Sequence, residues 1–286
     1  MTAMRKIEVM KRDVHSEKHL NMMIEILKSG FEAADPSRAI KRKLSLEDDL
    51  LRIEDYIFDL SHYERIFVYG AGKASGLMAQ AVEELLGDRI YMGSVNLPDY
   101  LINKYRLKRI ALNPASHPLP DEQTLQSTEK IVEMLHQCSD NDLVIGLISG
   151  GGSSLMCMPG EGITVDDMRT TYELLIKSGL EIQEINTVRK HISRIKGGKL
   201  AGIISPATSL NLLISDVVGD LPEYIASGPT VPDGSKPEDA MNILRRSGLW
   251  DRIPDSVKEY LLGIVDDRIS LTGNSDQPWF KNTHNI

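Results

Sequence analysis

The stretch that decides the fold is Leu143–Ser154, which reads Leu-Val-Ile-Gly-Leu-Ile-Ser-Gly-Gly-Gly-Ser-Ser. Its apolar first half has the length and composition of a strand buried in a parallel sheet. The three glycines that follow allow the backbone to turn sharply and to approach a ligand, because no Cβ stands in the way. Their N–H groups and the hydroxyls of Ser149, Ser153 and Ser154 could surround an anion. A tight strand-to-helix turn without a ligand is the alternative that this stretch alone leaves open.

A second strand and a second glycine-rich turn precede this stretch. Ile66–Tyr69 leads directly into Gly70–Gly76 (Gly-Ala-Gly-Lys-Ala-Ser-Gly), and an alanine-rich helix is predicted from about residue 74 to residue 86. A strand, a glycine-rich turn and a helix begin a βαβ unit. Ligands of open α/β sheets bind at the carboxyl ends of the strands, so Lys73 stands at a candidate ligand edge. A solvated lysine at a helix start is the alternative, although the helix dipole disfavours a cation there.

Two standard nucleotide motifs do not fit this turn. A P-loop has the spacing G-x-x-x-x-G-K, and Phe67 occupies the position of its first glycine. A dinucleotide fingerprint requires a third glycine where Ser75 stands, and an acidic residue after the next strand, where Asn96 lies. A standard NAD site is therefore not expected.

Two carboxylates follow a further predicted strand, Leu210–Ile214. Asp216 and Asp220 lie four residues apart in the loop that begins at Ser215. Mg²⁺ prefers oxygen ligands and usually keeps several waters, so this pair could hold it. The alternative is that both side chains cap turns.

A basic stretch lies between these strands, in a chain whose net charge is −8. Five cations fall within eleven residues, from Arg189 to Lys199. Gly197 and Gly198 interrupt them, and paired glycines weaken a plain surface helix. Cations beside a Gly-Gly turn are suited to binding polyphosphate. A solvated helix face is the alternative.

The remaining pattern predicts the elements that surround these strands. An amphipathic helix is predicted over residues 15–34, with one apolar face formed by Leu20, Met23, Ile24, Leu27 and Phe31. The other predictions are a short hairpin over 44–58, a strand over 91–95, a rigid proline loop over 113–121, helices over 122–136 and 164–177, and surface helices over 237–246 and 255–262. His117, inside the proline loop, could touch a substrate, although such a histidine more often bonds backbone carbonyls.

Composition limits the class of protein. The 286 residues suffice for one large domain or two smaller ones. Two cysteines form neither a disulfide framework nor a zinc-site spacing. The acidic balance argues against a general nucleic-acid binder, and the sequence contains no apolar run of membrane-spanning length. The N-terminal residues lack the apolar core of a secretion signal, so we expect a cytoplasmic protein.

The strands and loops together predict an α/β fold, a Rossmann-like three-layer domain with a mainly parallel sheet. The loops after three strands would share one edge, which would offer a lysine, a triple-glycine anion cradle and two carboxylates. Phosphoryl transfer requires this combination, because it depends on positioning and charge neutralisation more than on covalent chemistry. The residues alone therefore predict an α/β enzyme that handles an anionic ligand.

Six short motifs resemble those of one family, the class II glycerate kinases, in which an N-terminal α/β domain (DUF4147) precedes a MOFRL domain. These motifs lie within residues 70–74, 116–121, 149–153, 186–201, 215–220 and 226–230, and they occur in the family's order. The resemblance implies ATP- and Mg²⁺-dependent phosphorylation of D-glycerate, usually on the 2-hydroxyl, to give 2-phosphoglycerate. It also implies that Lys73 is catalytically important, and that residues 1–286 form the N-terminal domain. A MOFRL domain would lie outside this chain, and the cleft would be incomplete without it.

We assign roles to the candidate residues on this basis. The candidate catalytic residues are Lys73, Arg189 and Lys190. The candidate ATP-binding residues are Ser149, Gly150, Gly151, Gly152, Ser153, Ser154, Lys196, Gly197 and Gly198. The candidate Mg²⁺ ligands are Asp216 and Asp220. The expected partner is a small-molecule substrate, with no nucleic acid and no membrane, and a homodimer is compatible with the sequence.

Two other functions remain open from the sequence. A hydroxypyruvate reductase is one, although the imperfect dinucleotide fingerprint argues against it. A non-catalytic protein that binds a phosphate ligand is the other.

Overall fold

The computed structural model describes residues 14–266 and 276–286, and its first elements form a small layer of their own. Helices α1 (Val14–Ala33) and α2 (Pro36–Lys43) precede three short strands. These strands, β1 (Leu44–Glu47), β2 (Leu50–Ile53) and β3 (Tyr56–Asp59), pair antiparallel. The predicted hairpin is therefore extended by a third strand.

A six-stranded parallel sheet forms the centre of the fold. Its strands are β4 (Arg65–Ala71), β5 (Ile90–Pro98), β6 (Ile110–Ala115), β7 (Asp142–Ser149), β8 (Thr208–Ile214) and β9 (Thr283–Asn285). They lie in the order β6-β5-β4-β7-β8-β9, and each neighbouring pair is parallel. This is the Rossmann strand order. Strands β5 and β6 are added on one side of β4, and β7, β8 and β9 are added on the other side, so the switch point lies between β4 and β7. The predicted α/β fold class is confirmed.

Helices lie on both faces of this sheet and beside it. They are α3 (Ser75–Leu86), α4 (Asp99–Ile102), α5 (Glu122–Leu135), α6 (Gly152–Leu155), α7 (Val165–Lys177), α8 (Ile182–His191), α9 (Lys199–Ile204), α10 (Pro237–Arg246) and α11 (Asp255–Val265). Val68 of β4 packs with α3 on one face, whereas its neighbour Phe67 packs with α5 on the other. This alternation produces the three layers, because successive side chains of a strand point to opposite faces.

Helices α7, α8, α10 and α11 pack into a separate apolar core beside the sheet. The helices predicted over 237–246 and 255–262 are present, and each has a buried face as well as an exposed one. Leu244, Val257 and Leu261 are buried in that core. These helices therefore support α8, which carries the first part of the basic stretch.

Three other predictions differ from the structure. The start of the predicted proline loop is strand β6, and Pro114 is tolerated there because β6 is an edge strand. Strand β9 has no counterpart among the predicted elements. Helix α1 is confirmed, but Leu27 and Phe31 of its predicted apolar face are exposed. Within the described ranges, no helix is both long enough and apolar enough to span a bilayer.

Candidate active site

The loops after β4, β7 and β8 meet at one edge, because these three strands are parallel neighbours. Two hydrogen bonds join the first two loops directly. The Lys73 N–H donates to the Gly150 carbonyl at 2.9 Å, and the Ala74 N–H donates to Ser149 Oγ at 3.0 Å. The two glycine-rich loops therefore form one unit at the switch point of the sheet, where Rossmann-type domains bind their ligands.

Three ionisable side chains converge on the triple-glycine loop. The Asp216 carboxylate lies so close to Gly150 that a Cβ on this glycine would overlap it. A Cβ on Gly151 would lie 3.2 Å from His117 Nε2 and 3.2 Å from Lys73 Cε. Glycine is required at position 151 for a second reason, because its φ is +86°. The structure thus brings together Lys73, Asp216 and His117, and the role of His117 was left open by the sequence.

The charges around His117 act in opposite directions. Partial burial lowers the pKa of His117, and the positive charge of Lys73 lowers it further. The negative charge of Asp216 opposes both effects. The first two effects prevail, so the imidazole is neutral near pH 7.

The serine hydroxyls of the loop form hydrogen bonds mainly with other groups of the protein. Ser149 Oγ is buried, accepts the Ala74 N–H and lies 3.2 Å from Ser75 Oγ. Ser154 Oγ donates to the Pro118 carbonyl. The N–H groups of Ser154 and Leu155 both donate to the Gly151 carbonyl at 3.1 Å. What this loop offers to an anion is therefore the backbone N–H groups of Gly150–Ser153.

Ser153 belongs to a chain of hydroxyl groups with a defined direction. Ser227 Oγ donates to Asn186 Oδ1 at 3.0 Å, so it accepts the Ser153 hydroxyl at 2.9 Å. Ser227 has a φ of +63°, and the preceding Ala226 has a φ of +51°. Two adjacent non-glycine residues in this region store backbone strain, which is common at functional sites. No sequence signal points to Ser227 beyond its place in the Ala-Ser-Gly-Pro-Thr motif.

Four of the five cations of the basic stretch are buried, and Arg194 is exposed. Lys190 Nζ lies 3.2 Å from Asp233 Oδ1, and both side chains are less than one-tenth exposed. The Arg189 guanidinium stacks on the Tyr172 ring at 4.7 Å, and burial lowers its pKa. Asp233 is thus the counter-ion of Lys190, whereas the charge of Arg189 rests on an aromatic face. The alternative of a solvated helix face is therefore wrong for the four buried cations.

Two lysines of this stretch hold backbone segments together. Lys196 is fully buried, and its Nζ donates to the Met156 carbonyl at 2.9 Å. Lys199 Nζ donates to the carbonyls of Lys190 and Lys196 at 2.6 and 3.2 Å. Burial lowers the pKa of Lys196 to about 7 and that of Lys199 to about 8.

The Gly197–Gly198 turn is likewise committed to protein contacts. Its two N–H groups donate to the carbonyls of Ser227 and Gly228 at 3.1 and 2.8 Å. The turn reaches the glycine-rich loop through Ser227. Among the predicted binding residues 196–198, the Gly197–Gly198 turn is therefore joined to the site by this relay, whereas Lys196 binds the Met156 carbonyl. Lys73 and Asp216 lie directly against the glycine loop.

Replacing Lys196 with methionine is expected to flatten the pH dependence of stability between pH 7 and pH 9. The unfolded lysine has its ordinary pKa near 10.4, so in this range the unfolded state binds more protons than the folded state. The free energy of unfolding therefore rises with pH, and this lysine contributes on the order of 2 kcal/mol of that rise. Urea unfolding at both pH values measures it. An exposed Lys130→Met control should keep the wild-type slope, and an unchanged slope in Lys196→Met would contradict the assignment.

The two candidate Mg²⁺ ligands occupy different positions. Asp216 lies against the glycine loop, whereas Asp220 is exposed, has a φ of +50° and donates its N–H to the Val217 carbonyl. No cluster of three or more His, Cys, Asp or Glu residues suited to a metal occurs in the part of the chain that the structure describes. Asp216 nevertheless fits Mg²⁺, because this ion is often held by one or two carboxylates together with substrate phosphates.

Asn96 stands where a dinucleotide site would require an acidic residue, and it is fully buried. Its Nδ2 donates to the Leu155 carbonyl at 3.0 Å and to Thr128 Oγ1 at 3.3 Å. A side chain bound in this way is not available to ribose hydroxyls.

The strand order and the switch-point edge define an α/β domain of the Rossmann type with a site suited to an anionic ligand. Residues 22–262 match the family described as a domain of unknown function, DUF4147. The chain belongs to this family.

Two relatives and one solved structure illustrate what the chain is similar to. It is 40% identical to a glycerate 2-kinase of Pyrococcus horikoshii, over 92% of this chain and 58% of that protein. It is 38% identical to a D-glycerate 2-kinase of Thermotoga maritima, over 84% of this chain and 54% of that protein. A crystal structure from Pyrococcus horikoshii superposes with a TM-score of 0.83 at 37% identity, over 97% of this chain and 60% of that one. The chain thus spans a little over half the length of these relatives.

Proposed function

We propose that this chain supplies the α/β domain of a glycerate 2-kinase, which transfers the γ-phosphoryl group of ATP to the 2-hydroxyl of D-glycerate. The observation that supports this most directly is the convergence of Lys73, His117 and Asp216 on Gly150 and Gly151. The names of the two kinase relatives, at 40% and 38% identity, favour the same reaction. D-glycerate is a small anion, and the carboxyl edge of the sheet offers a cation and backbone N–H groups that can bind negative charge.

Each group at the edge has a role in this proposal. Lys73 neutralises the transferring phosphoryl group or holds the glycerate carboxylate. The N–H groups of Gly150–Ser153 receive the ATP phosphates, because no Cβ of the three glycines blocks their approach. Arg189 and Lys190 are the proposed sources of further positive charge. These groups act by positioning and by charge, which is what phosphoryl transfer requires.

Asp216 is the proposed ligand of Mg²⁺, and Asp220 is the second candidate four residues along the same loop. The fit rests on the place of the Asp216 carboxylate beside the loop that would receive the phosphates. When bound, Mg²⁺ neutralises phosphate charge and orients the phosphoryl group. We expect the reaction to stop when the metal is chelated.

The proposal extends to domain organisation and compartment. Residues 1–286 would form the α/β domain, and a MOFRL domain would complete the cleft. The protein would act in the cytoplasm, with a homodimer as the candidate assembly. The buried amide of Asn96 weighs against the alternative hydroxypyruvate reductase, since a reductase would need a nicotinamide site.

The test is product analysis by phosphorus NMR, with ATP, Mg²⁺ and D-glycerate. We would assay this chain and a version extended through a second domain, each with and without a chelator. We expect the extended protein to form 2-phosphoglycerate and to require Mg²⁺ for this. Formation of the same product by this chain alone would also agree with the proposal. The 3-phospho isomer would correct the position of transfer.

Three outcomes would overturn the proposal. If neither protein makes any phosphoglycerate, the glycerate kinase assignment fails. Consumption of NADH with hydroxypyruvate, without a coupling enzyme, would favour the reductase. Tight binding of ATP or glycerate without turnover would favour a non-catalytic binding protein.

A further inference from the structure

The loop Ser116–Asp121 is a motif for which the proposed function gives no role, and the structure fixes it at both ends. Ser116 Oγ donates to Asp121 Oδ2 at 2.5 Å, and Asp121 caps α5 by accepting the Thr124 N–H at 2.9 Å. Ser154 Oγ, from the glycine-rich loop, donates to the Pro118 carbonyl. His117 therefore sits on a backbone that is tied both to α5 and to the site.

We propose that His117 is the general base that accepts the proton of the glycerate hydroxyl during phosphoryl transfer. The inference rests on the proposed function and adds a residue to it. His117 Nε2 and Lys73 Cε lie equally close, at 3.2 Å, to the position that a Cβ of Gly151 would occupy. The imidazole is exposed at the edge of the sheet, so a substrate seated on the glycine loop can reach it.

The surroundings of His117 suit this role. Neither ring nitrogen has a hydrogen-bond partner among residues 14–266 and 276–286, so one of them is available to a ligand. The titratable groups that face the ring come from two other elements: Lys73, after β4, and Asp216, after β8. Burial and Lys73 hold the pKa of His117 below its ordinary value, so the ring can accept a proton near pH 7. Because Asp216 is the proposed ligand of Mg²⁺, we assign the role of proton acceptor to His117.

The step conserves atoms and charge. The O–H bond of the 2-hydroxyl breaks, and its proton forms a bond to a ring nitrogen of His117. The hydroxyl oxygen forms a bond to the γ-phosphorus of ATP. The bond from that phosphorus to the bridging oxygen breaks, and ADP leaves with the electron pair. The imidazolium then returns its proton to water.

The experiment compares His117→Gln with wild type, in whichever protein forms phosphoglycerate. A matched control is His62→Gln, which removes an exposed histidine from the short turn after β3. We expect kcat of His117→Gln to fall on the order of 100-fold, within the range for loss of a general base, with the KM for ATP changed less than about 3-fold. The control should keep wild-type kcat.

The pH profile separates a base from a merely structural residue. In wild type, kcat/KM should decline at low pH with a midpoint below about 6.5, because the protonated ring cannot accept a proton. The decline should disappear in His117→Gln. If the variant keeps kcat within about 3-fold, or retains the decline, His117 is not the base, while the kinase assignment survives. If wild type forms no phosphoglycerate, both proposals fail.

Discussion

Replacing Lys73 with alanine is expected to lower kcat by on the order of 100- to 1,000-fold, while the free energy of unfolding stays within about 0.5 kcal/mol of wild type. The Lys73 side chain is exposed and extends over Gly151, so its loss removes charge from the site without opening a cavity. The Lys73 N–H bond to the Gly150 carbonyl belongs to the backbone and survives the substitution. Steady-state kinetics and urea unfolding on the same sample measure both effects.

The matched control for this variant is Lys130→Ala, which removes an exposed lysine from α5. It should leave both kcat and stability at wild-type values. Wild-type turnover in Lys73→Ala would exclude the proposed role. A large loss of stability in that variant would instead show that Lys73 supports the loop, and the kinetic result would then carry no information about charge.

Replacing Gly72 with alanine is expected to produce the largest loss of stability among single substitutions in the two loops, about 3 kcal/mol. Gly72 has a φ of +149°, which side chains rarely adopt. A Cβ there would lie 2.7 Å from the Ser149 carbonyl oxygen and would overlap Ser149 Oγ. Since the obstacle is mainly backbone of the central strand β7, it cannot move aside cheaply. Thermal or urea unfolding measures the loss.

Gly179→Ala separates backbone strain from steric overlap in this prediction. Gly179 also has a positive φ, +76°, but no atom lies within 4 Å of its Cβ position. We expect it to lose only about 1 kcal/mol, the usual cost of a left-handed conformation for an L residue. Equal losses at positions 72 and 179 would show that the overlap with β7 is relieved by a small shift.

The sequence predicted the strands of the site well, because strands of a parallel sheet are covered on both faces and are therefore apolar runs. Residues 143–148, 66–69 and 210–214 each lie within a strand. The loops after these strands share one edge as predicted, and the structure adds that the three strands are neighbours. Glycines after such a run mark the turn. The position of the ligand edge could therefore be predicted from apolar runs followed by glycines, together with the rule that parallel strands end at the same edge of a sheet.

The rest depended on contacts between residues distant in sequence. His117 lies 44 residues after Lys73, and no local pattern predicts that their side chains converge on Gly151. Lys196 was expected to face a ligand or solvent, because buried lysines are rare. It is tolerated inside because the Met156 carbonyl, 40 residues away, accepts a hydrogen bond from its Nζ. Such partners are set by tertiary packing.

Edge elements were also difficult to predict. Strand β6 contains Pro114, which disfavours a strand unless the position lies at a sheet edge. Strand β9 has only three residues, too few for a recognisable alternation. Strands β6 and β9 are the two outermost strands of the sheet. Which strands lie outermost is decided by the topology of the whole domain and not by local sequence.

The parallel order of β4, β7 and β8 also has a consequence for synthesis on the ribosome. The chain is made from its N-terminus, yet the three loops of the edge are separated by long stretches, since Lys73 and Asp216 lie 143 residues apart. At a synthesis rate of about 5–20 residues per second, roughly 7–30 s pass between the addition of these two residues. During that time the nascent polypeptide exposes unpaired strands without a ligand to stabilise them. A metabolite could therefore assist only the last stage of maturation, after β8 has emerged from the exit tunnel.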